Sequence, residues 1–377
     1  MSPASQKGAD QIPAEVREYY SQVFALSNAD EPLGTDWLAS AVSAMRDVSS
    51  LRVIRTLLKA KALTSSANSW DILLEQRIRP AIDAHQLSRA DIESMLEEAE
   101  EHSTQHVLFY RLKSGFKIES YLNPDKVQQR LKAQQLLKIW CAPTPFDTPR
   151  GKKILTHVRF DSEGCLIAKS QETREVIQQF KVQEYGVGRI CFERVTRQRR
   201  VRLAKLHPDG LFEIRLGSIH AQGKPHNYQT EAGHFMDAIK WLIPSTHFAE
   251  VRFDRLRRAI WDSASRSVGR IHVLSQDMAS SSGSRVAVHS KNRTSSVSND
   301  NACKDGVTAF MNHDGSLLDR CEVQWVEQPL GQMPSANVSI RLSGALTGAS
   351  NEISFTQHNT KQDSEYVVSE IRRFGRF

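Results

Sequence analysis

A run of arginines in the middle of the chain is the feature most able to do chemistry. Residues 193–216 read ERVTRQRRVRLAKLHPDGLFEIRL, and this stretch contains Arg194, Arg197, Arg199, Arg200, Arg202 and Lys205. Guanidinium groups suit phosphate oxygens because they donate two parallel hydrogen bonds and keep their charge. We expect strands at 189–195 and 199–206 to pair around a tip at 196–198, so that the arginines project together. Alternatively, the charges only keep an exposed hairpin soluble and protect a sheet edge.

A second basic group follows at helical spacing. Arg252, Arg255 and Arg258 recur every three residues, with Arg257 beside them. Trp140, Tyr185, Tyr228, Trp241 and Trp261 lie near these basic groups and could stack on bases. The two arginine groups are therefore the predicted nucleic-acid-binding residues.

Charge is distributed unevenly along the 377 residues. Residues 103–270 contain 30 Lys and Arg against 16 Asp and Glu, a net charge of +14, and the remainder holds 20 against 27, a net of −7. Clustered cations release counterions from a nucleic acid together, so an acidic partner is favoured. The acidic residues Glu93, Glu97, Glu98, Glu100 and Glu101 are interpreted as the solvated face of a helix, with a docking surface as the alternative.

Composition indicates a globular cytoplasmic protein. Hydrophobic residues make up 40% and charged residues 25% of the chain, and the polar start MSPASQKGADQ does not resemble a signal peptide. No apolar run is long enough for a membrane span, and five widely spaced cysteines form no CxxC pair. We predict no membrane partner, no metal and no cofactor, and no small-molecule substrate is evident.

Hydrophobic periodicity predicts an α+β fold. Apolar residues recur at helical spacing from Val16 to Leu26 and again up to Ala99, whereas strand patterns begin at His106. His207-Pro208-Asp209-Gly210 predicts a tight turn, and nine serines in residues 275–298 predict a flexible segment. The predicted order is a disordered tail (1–12), a helical bundle (13–104), a basic α+β domain with a mixed sheet and helices (105–274), a serine-rich linker or long loop (275–306), and a small C-terminal antiparallel sheet with a terminal helix (307–377).

Three functions are compatible with these patterns. The first is a nucleic-acid-binding protein that grips the DNA or RNA backbone, as a non-catalytic subunit of a larger assembly. The second is a protein–protein adaptor with acidic and basic docking surfaces. The third is a metal-dependent nuclease built from scattered acids, for which Asp161, Glu163 and Lys169 are the candidates. Phosphate-loop, dinucleotide, nucleophile-elbow and HExxH motifs are absent from the sequence, which favours the first function.

Overall fold

The computed structural model describes residues 35–146, 151–185, 188–218, 227–266, 269–280, 282–313, 317–329, 331–344 and 350–376, with backbone alone at 35–36, 175–185 and 188–197. The predicted tail at residues 1–12 and the helix predicted from Val16 to Leu26 lie outside the described residues. No helix in the described ranges combines the length and apolar composition needed to cross a bilayer.

The N-terminal part is helical, as the periodicity predicts. Its helices are α1 (Thr35–Val48), α2 (Leu51–Ala60), α3 (Trp70–Leu73), a π-helical turn (Leu74–Ile78), α4 (Arg79–Asp83) and α5 (Arg89–His102). One apolar core unites them, with Met45, Ile54 and Leu73 buried at its centre. Helix α5 begins at a capping box, in which the Ser88 hydroxyl accepts the Asp91 backbone N–H and Asp91 accepts the Ser88 N–H.

The rest of the chain alternates strands and helices, and the α+β class is confirmed. The strands are β1 (Gln105–Leu112), β2 (Ile154–Phe160), β3 (Leu166–Tyr185), β4 (Gly188–Leu206), β5 (Leu211–Gly217), β6 (Phe248–Glu250), β7 (Ile271–Ala279), β8 (Arg285–His289), β9 (Leu317–Trp325), β10 (Val338–Leu342) and β11 (Glu352–Phe355). The helices are α6 (Pro124–Ala133), α7 (Tyr228–Ala238), α8 (Asp254–Arg266), α9 (Asn301–Met311) and α10 (Lys361–Gly375), with 3₁₀ turns at Ile118–Ser120, Leu137–Ile139, Ser245–His247 and Val297–Asn299.

All these strands join one antiparallel sheet in the order β2-β3-β4-β5-β1-β11-β10-β9-β7-β8, with β6 added beside β1. Strand β1 joins the two halves because it pairs with β5 on one side and with β11 on the other. The C-terminal strands therefore continue the central sheet instead of forming a separate small one. The division into separate domains at residues 105–274 and 307–377 stays a prediction.

The two halves of the sheet bury apolar residues on opposite faces. Val107 and Phe109 of β1 enter a core with α8 and α10, whereas Leu108 and Tyr110 enter a core with α6 and α7. This follows from the alternation of side chains along a strand. Strand β1 is covered on both faces, which explains its nearly continuous apolar sequence.

The predicted turn at residues 207–210 is present. The Gly210 N–H donates to the His207 carbonyl at 3.0 Å, and Gly210 has a φ of +86°. A side chain at Gly210 would also meet the Leu112 Cβ at 3.2 Å. Glycine therefore serves both the backbone conformation and the close approach of β1.

The serine-rich segment differs from the predicted linker. Residues 275–279 belong to β7, which pairs with β8 and β9, and the segment ends against α9. Several serines satisfy buried polar groups: the Ser296 hydroxyl accepts the Val273 N–H at 2.9 Å and lies 2.7 Å from the Ser298 hydroxyl. Serine enrichment here reflects hydrogen bonding inside the fold as well as exposed turns.

Candidate nucleic-acid interface

Most of the arginines predicted to project from β4 are buried. Strand β4 runs without interruption from Gly188 to Leu206 and pairs with β3 along its length, so the predicted hairpin tip at 196–198 is wrong. Arg199, Arg200, Arg202 and Lys205 are each 5% exposed or less. For these four residues the predicted exposure is therefore wrong. Arg194 and Arg197 lie opposite Gln178 and Glu175 in the strand register, and their side chains lie outside the described part.

Two of the buried arginines share carboxylates from β3 and α7. Arg202 Nε donates to Glu231 Oε1 at 2.7 Å, and Arg202 Nη2 donates to Glu172 Oε2 at 2.6 Å. Arg200 Nη2 donates to the other Glu231 oxygen at 2.5 Å. Burial opposes ionisation of Glu172, but hydrogen bonds from Arg174 and Arg202 outweigh it and lower its pKa. These cations neutralise internal carboxylates and are not available to phosphate.

Arg199 reaches the opposite face of the sheet and contacts the acidic helix α5. Its Nε donates to Glu100 Oε1 at 2.6 Å, while Lys169 Nζ lies 3.1 Å from Glu100 and 3.2 Å from Glu101. Lys169 is fully buried, and the two glutamates outweigh the effect of burial and raise its pKa. Burial opposes ionisation of Glu101, but Lys169 and Arg159 hold its pKa well below the usual range.

A polar cavity of about 160 Å³ lies between α5, α10 and the sheet. Its charged lining is Glu97, Glu98, Glu101, Asp161, Glu365, Arg159, Lys205, Arg215 and Lys361. Lys205 Nζ contacts Asp161 at 3.1 Å and Glu365 at 3.2 Å. Five carboxylates face four cations, so the cavity is close to neutral and has no excess positive charge for an anion. The nuclease candidates Asp161 and Lys169 are not paired with each other: Asp161 contacts Lys205, whereas Lys169 contacts Glu100 and Glu101.

Three side chains could hold a metal ion. The ligand atoms of Glu163, Cys165 and His207 lie within 4.8 Å of one another, and His207 Nε2 is 2.7 Å from Glu213. However, the Arg372 guanidinium lies 3.4 Å from His207 Nδ1, and burial raises the pKa of Cys165 to about 12. Both features oppose binding of a dication at this position.

The second predicted arginine group is exposed. Arg252, Arg255 and Arg258, named here the α8 arginine face, all point to solvent at the start of α8. Arg252 lies 3.0 Å from Asp254, and its side chain is 76% exposed; Arg255 and Arg258 form no ion pair with another described residue. Arg257 instead is buried, 3.4 Å from Asp254, and donates to the Ser343 carbonyl. The predicted residues of β4 and α8 therefore do not form one surface.

The aromatic candidates mostly serve the core. Trp140 and Trp261 are 3% and 7% exposed, and Tyr228 stacks on His106 with ring centroids 3.4 Å apart. Trp241 is partly buried and donates its Nε1 hydrogen to the Ala238 carbonyl. Tyr185 has no described side chain. Base stacking therefore has no support from these four side chains.

A third basic group escaped the sequence analysis. Lys291, Arg293, Arg320 and Arg341 converge on a cleft of about 380 Å³ in the C-terminal half. They are separated by up to 50 positions, so no local run of charge marks them. The sequence signal that could have found part of the group is the alternation along β9 and β10, because Cys321, Ile340 and Leu342 face the core and the adjacent Arg320 and Arg341 face away from it.

No family model matches the chain, and no curated protein matches it.

Proposed function

We propose that the protein binds the phosphate backbone of a nucleic acid through the α8 arginine face. The observation that carries this proposal is the exposure of Arg252, Arg255 and Arg258 with only one carboxylate partner, Asp254, among the described residues. Exposed guanidinium groups that lack internal partners can exchange water and counterions for phosphate oxygens.

The position of these arginines supports an anionic partner. The N-terminus of a helix is the positive end of its dipole, where cations are unfavourable by about 0.3–1 kcal/mol each. Arg255 lies in the first turn of α8, and Arg252 and Arg258 flank it. Asp254 in the first turn offsets part of this cost, and a bound phosphate would offset more, because it interacts favourably with both the helix end and the arginines.

The core holds α8 in a fixed orientation. Leu256, Ile260 and Trp261 are buried against the sheet, and Arg257 joins the helix to the Ser343 carbonyl. The exposed arginines therefore project from a rigid element, which lowers the entropy lost on binding. We further propose a cytoplasmic location, which is consistent with the free thiols of the described cysteines.

The test is a salt titration of nucleic-acid affinity. Single- and double-stranded DNA and RNA are measured by fluorescence anisotropy, starting at about 50 mM salt. Replacing Arg252, Arg255 and Arg258 together with Ala should weaken binding. For duplex DNA the slope of log affinity against log salt should fall by up to about 2.7, because each lost phosphate contact removes about 0.9.

A charge-matched control separates a surface from a net-charge effect. Lys126, Lys132 and Lys138 are exposed in the same basic region, and replacing them with Ala removes the same charge. That variant should keep the wild-type slope. Equal losses in both variants, or no binding by the wild-type protein to any of the four nucleic acids, would contradict the proposal.

A further inference from the structure

The basic cleft of the C-terminal half is built on one cross-strand row of the sheet. Arg341 of β10 lies opposite Glu322 of β9, Glu322 opposite Ser275 of β7, and Ser275 opposite His289 of β8. All four residues line the cleft. Neighbours in such a row have Cβ atoms about 4.5–5.5 Å apart, so the floor of the cleft is a fixed array of polar side chains.

The cleft lies on the opposite face of the sheet from α8. Cys321 and Val323 of β9 face the core that contains Leu256 and Ile260 of α8. Arg320 and Glu322 alternate with them and therefore point to the other face. The cleft and the α8 arginine face are thus separate surfaces.

An ordered serine-rich loop forms the rim. The Asn292 side-chain oxygen accepts the Thr294 N–H at 3.0 Å and the Ser295 hydroxyl at 3.0 Å. The Ser290 hydroxyl donates to the Ser295 carbonyl at 2.8 Å. These bonds hold the loop that carries Lys291 and Arg293 at the mouth of the cleft.

The cleft contains more cationic side chains than carboxylates. Lys291, Arg293, Arg320 and Arg341 face two carboxylates, Asp277 and Glu322. Glu322 is shared loosely, at 3.8 Å from Arg293 and 3.4 Å from Arg341, and their side chains remain 68% and 40% exposed. Arg320 and Lys291 form no ion pair with another described residue. The four cations of the cleft therefore retain N–H donors for a ligand, whereas the buried cations of β4 are paired with carboxylates.

We infer that the cleft binds a phosphomonoester group carried by a nucleotide. Three arginines and a lysine provide the bidentate and point-charge contacts that phosphate oxygens take. The two carboxylates would repel a bare anion, but they accept hydrogen bonds from hydroxyl or amino groups such as those of a ribose or a base. The volume of about 380 Å³ lies within the usual range for small-ligand pockets, roughly 300–1,000 Å³.

The experiment measures binding of defined phosphate probes to the full chain by calorimetry. The probes are inorganic phosphate, a nucleoside 5′-monophosphate, the matching nucleoside, and an oligonucleotide with and without a 5′-phosphate. We expect the monophosphate to bind more tightly than inorganic phosphate, and the nucleoside not to bind. A preference for the 5′-phosphorylated oligonucleotide would identify a strand end as the source of the group, and its absence would identify the free nucleotide.

Variants of the cleft should shift affinity in opposite directions. Arg320→Gln and Arg341→Gln should each weaken monophosphate binding roughly tenfold or more, as expected for loss of a charge-assisted hydrogen bond. Glu322→Gln should strengthen it, because a negative charge beside the phosphate is removed. Arg285→Gln, on the exposed edge strand β8 outside the cleft lining, should leave binding unchanged.

Failure of this inference can be separated from failure of the proposed function. The α8 triple variant should bind the monophosphate normally, because its substitutions lie on the other face of the sheet. Equal binding of nucleoside and monophosphate, or wild-type affinity in folded Arg320→Gln and Arg341→Gln variants, would overturn the phosphate site. A thermal melt of each variant checks that it is folded.

Discussion

The buried position of Arg202 can be tested by replacing it with alanine. The side chain is 2% exposed and bridges Glu231 at 2.7 Å and Glu172 at 2.6 Å. Removing one partner of a buried ion pair typically costs about 3–5 kcal/mol, because a charge remains buried without compensation. Glu231 keeps Arg200 and Glu172 keeps Arg174, so we expect a loss near the lower limit, about 3 kcal/mol.

Thermal unfolding provides the assay. A loss of about 3 kcal/mol corresponds to a Tm lower by roughly 6–12 °C if the cooperative unit has about 150–250 residues. Arg258→Ala removes the same side chain from an exposed position and should change stability by no more than about 0.5 kcal/mol. A double variant, Arg202→Met with Glu172→Leu, should be more stable than Arg202→Ala, because it leaves no Glu172 carboxylate buried without Arg202.

Two results would refute this account of Arg202. One is an Arg202→Ala variant that melts at the wild-type temperature, which would mean that the guanidinium is solvated as an exposed phosphate-binding arginine would be. The other is an equal loss in Arg258→Ala, which would mean that the two positions do not differ in burial.

Three further predictions follow from other buried groups and from the serine-rich segment. Burial, with the charges of Lys169 and Arg159, lowers the pKa of His157 to about 3. Below pH 6.5 the unfolded state therefore binds a proton that the folded state does not, so the free energy of unfolding should fall as the pH decreases from 6.5 to 3. Urea unfolding should show a slope up to about 1.4 kcal/mol per pH unit steeper than that of a His157→Phe variant. Glu100→Ala should cost about 3 kcal/mol or more in the same assay. Glu93→Ala breaks a partly exposed i,i+4 pair with Arg89 and should cost only about 0.5 kcal/mol, so equal losses would contradict the ion pairs beneath α5. Limited proteolysis, followed by mass spectrometry, should cut in the exposed turn at residues 282–284 but not within β7 or in the hydrogen-bonded loop at 290–295. Early cleavage at 275–279 would show that β7 is not formed.

The sequence predicted local features well because their causes are local. The turn at Gly210 depends on residues within a few positions of one another. The apolar run of β1 also predicted a strand, because strand burial leaves a pattern in consecutive residues.

Features that depend on distant residues were not predictable in this way. The pairing of β1 with β11 joins residues about 245 positions apart, and no periodicity encodes it. The hairpin tip was misplaced because the polar residues 196–198 resemble a turn, although they continue β4 opposite residues 174–176. Likewise, the serines of 275–298 were interpreted by composition alone, although Ser296 and Ser298 are buried.

The acidic and basic runs were interpreted separately, but they are partners in the structure. Glu100 and Glu101 of α5 are each 6% exposed and bind Arg199, Lys169 and Arg159 from the sheet. Part of the net charge of +14 in residues 103–270 is therefore cancelled internally by carboxylates from outside that range. Regional net charge measures attraction for an external anion only when the counter-charges lie in the same range. Exposed cations that converge on one surface and outnumber the carboxylates beside them are the better guide, as on α8 and in the C-terminal cleft.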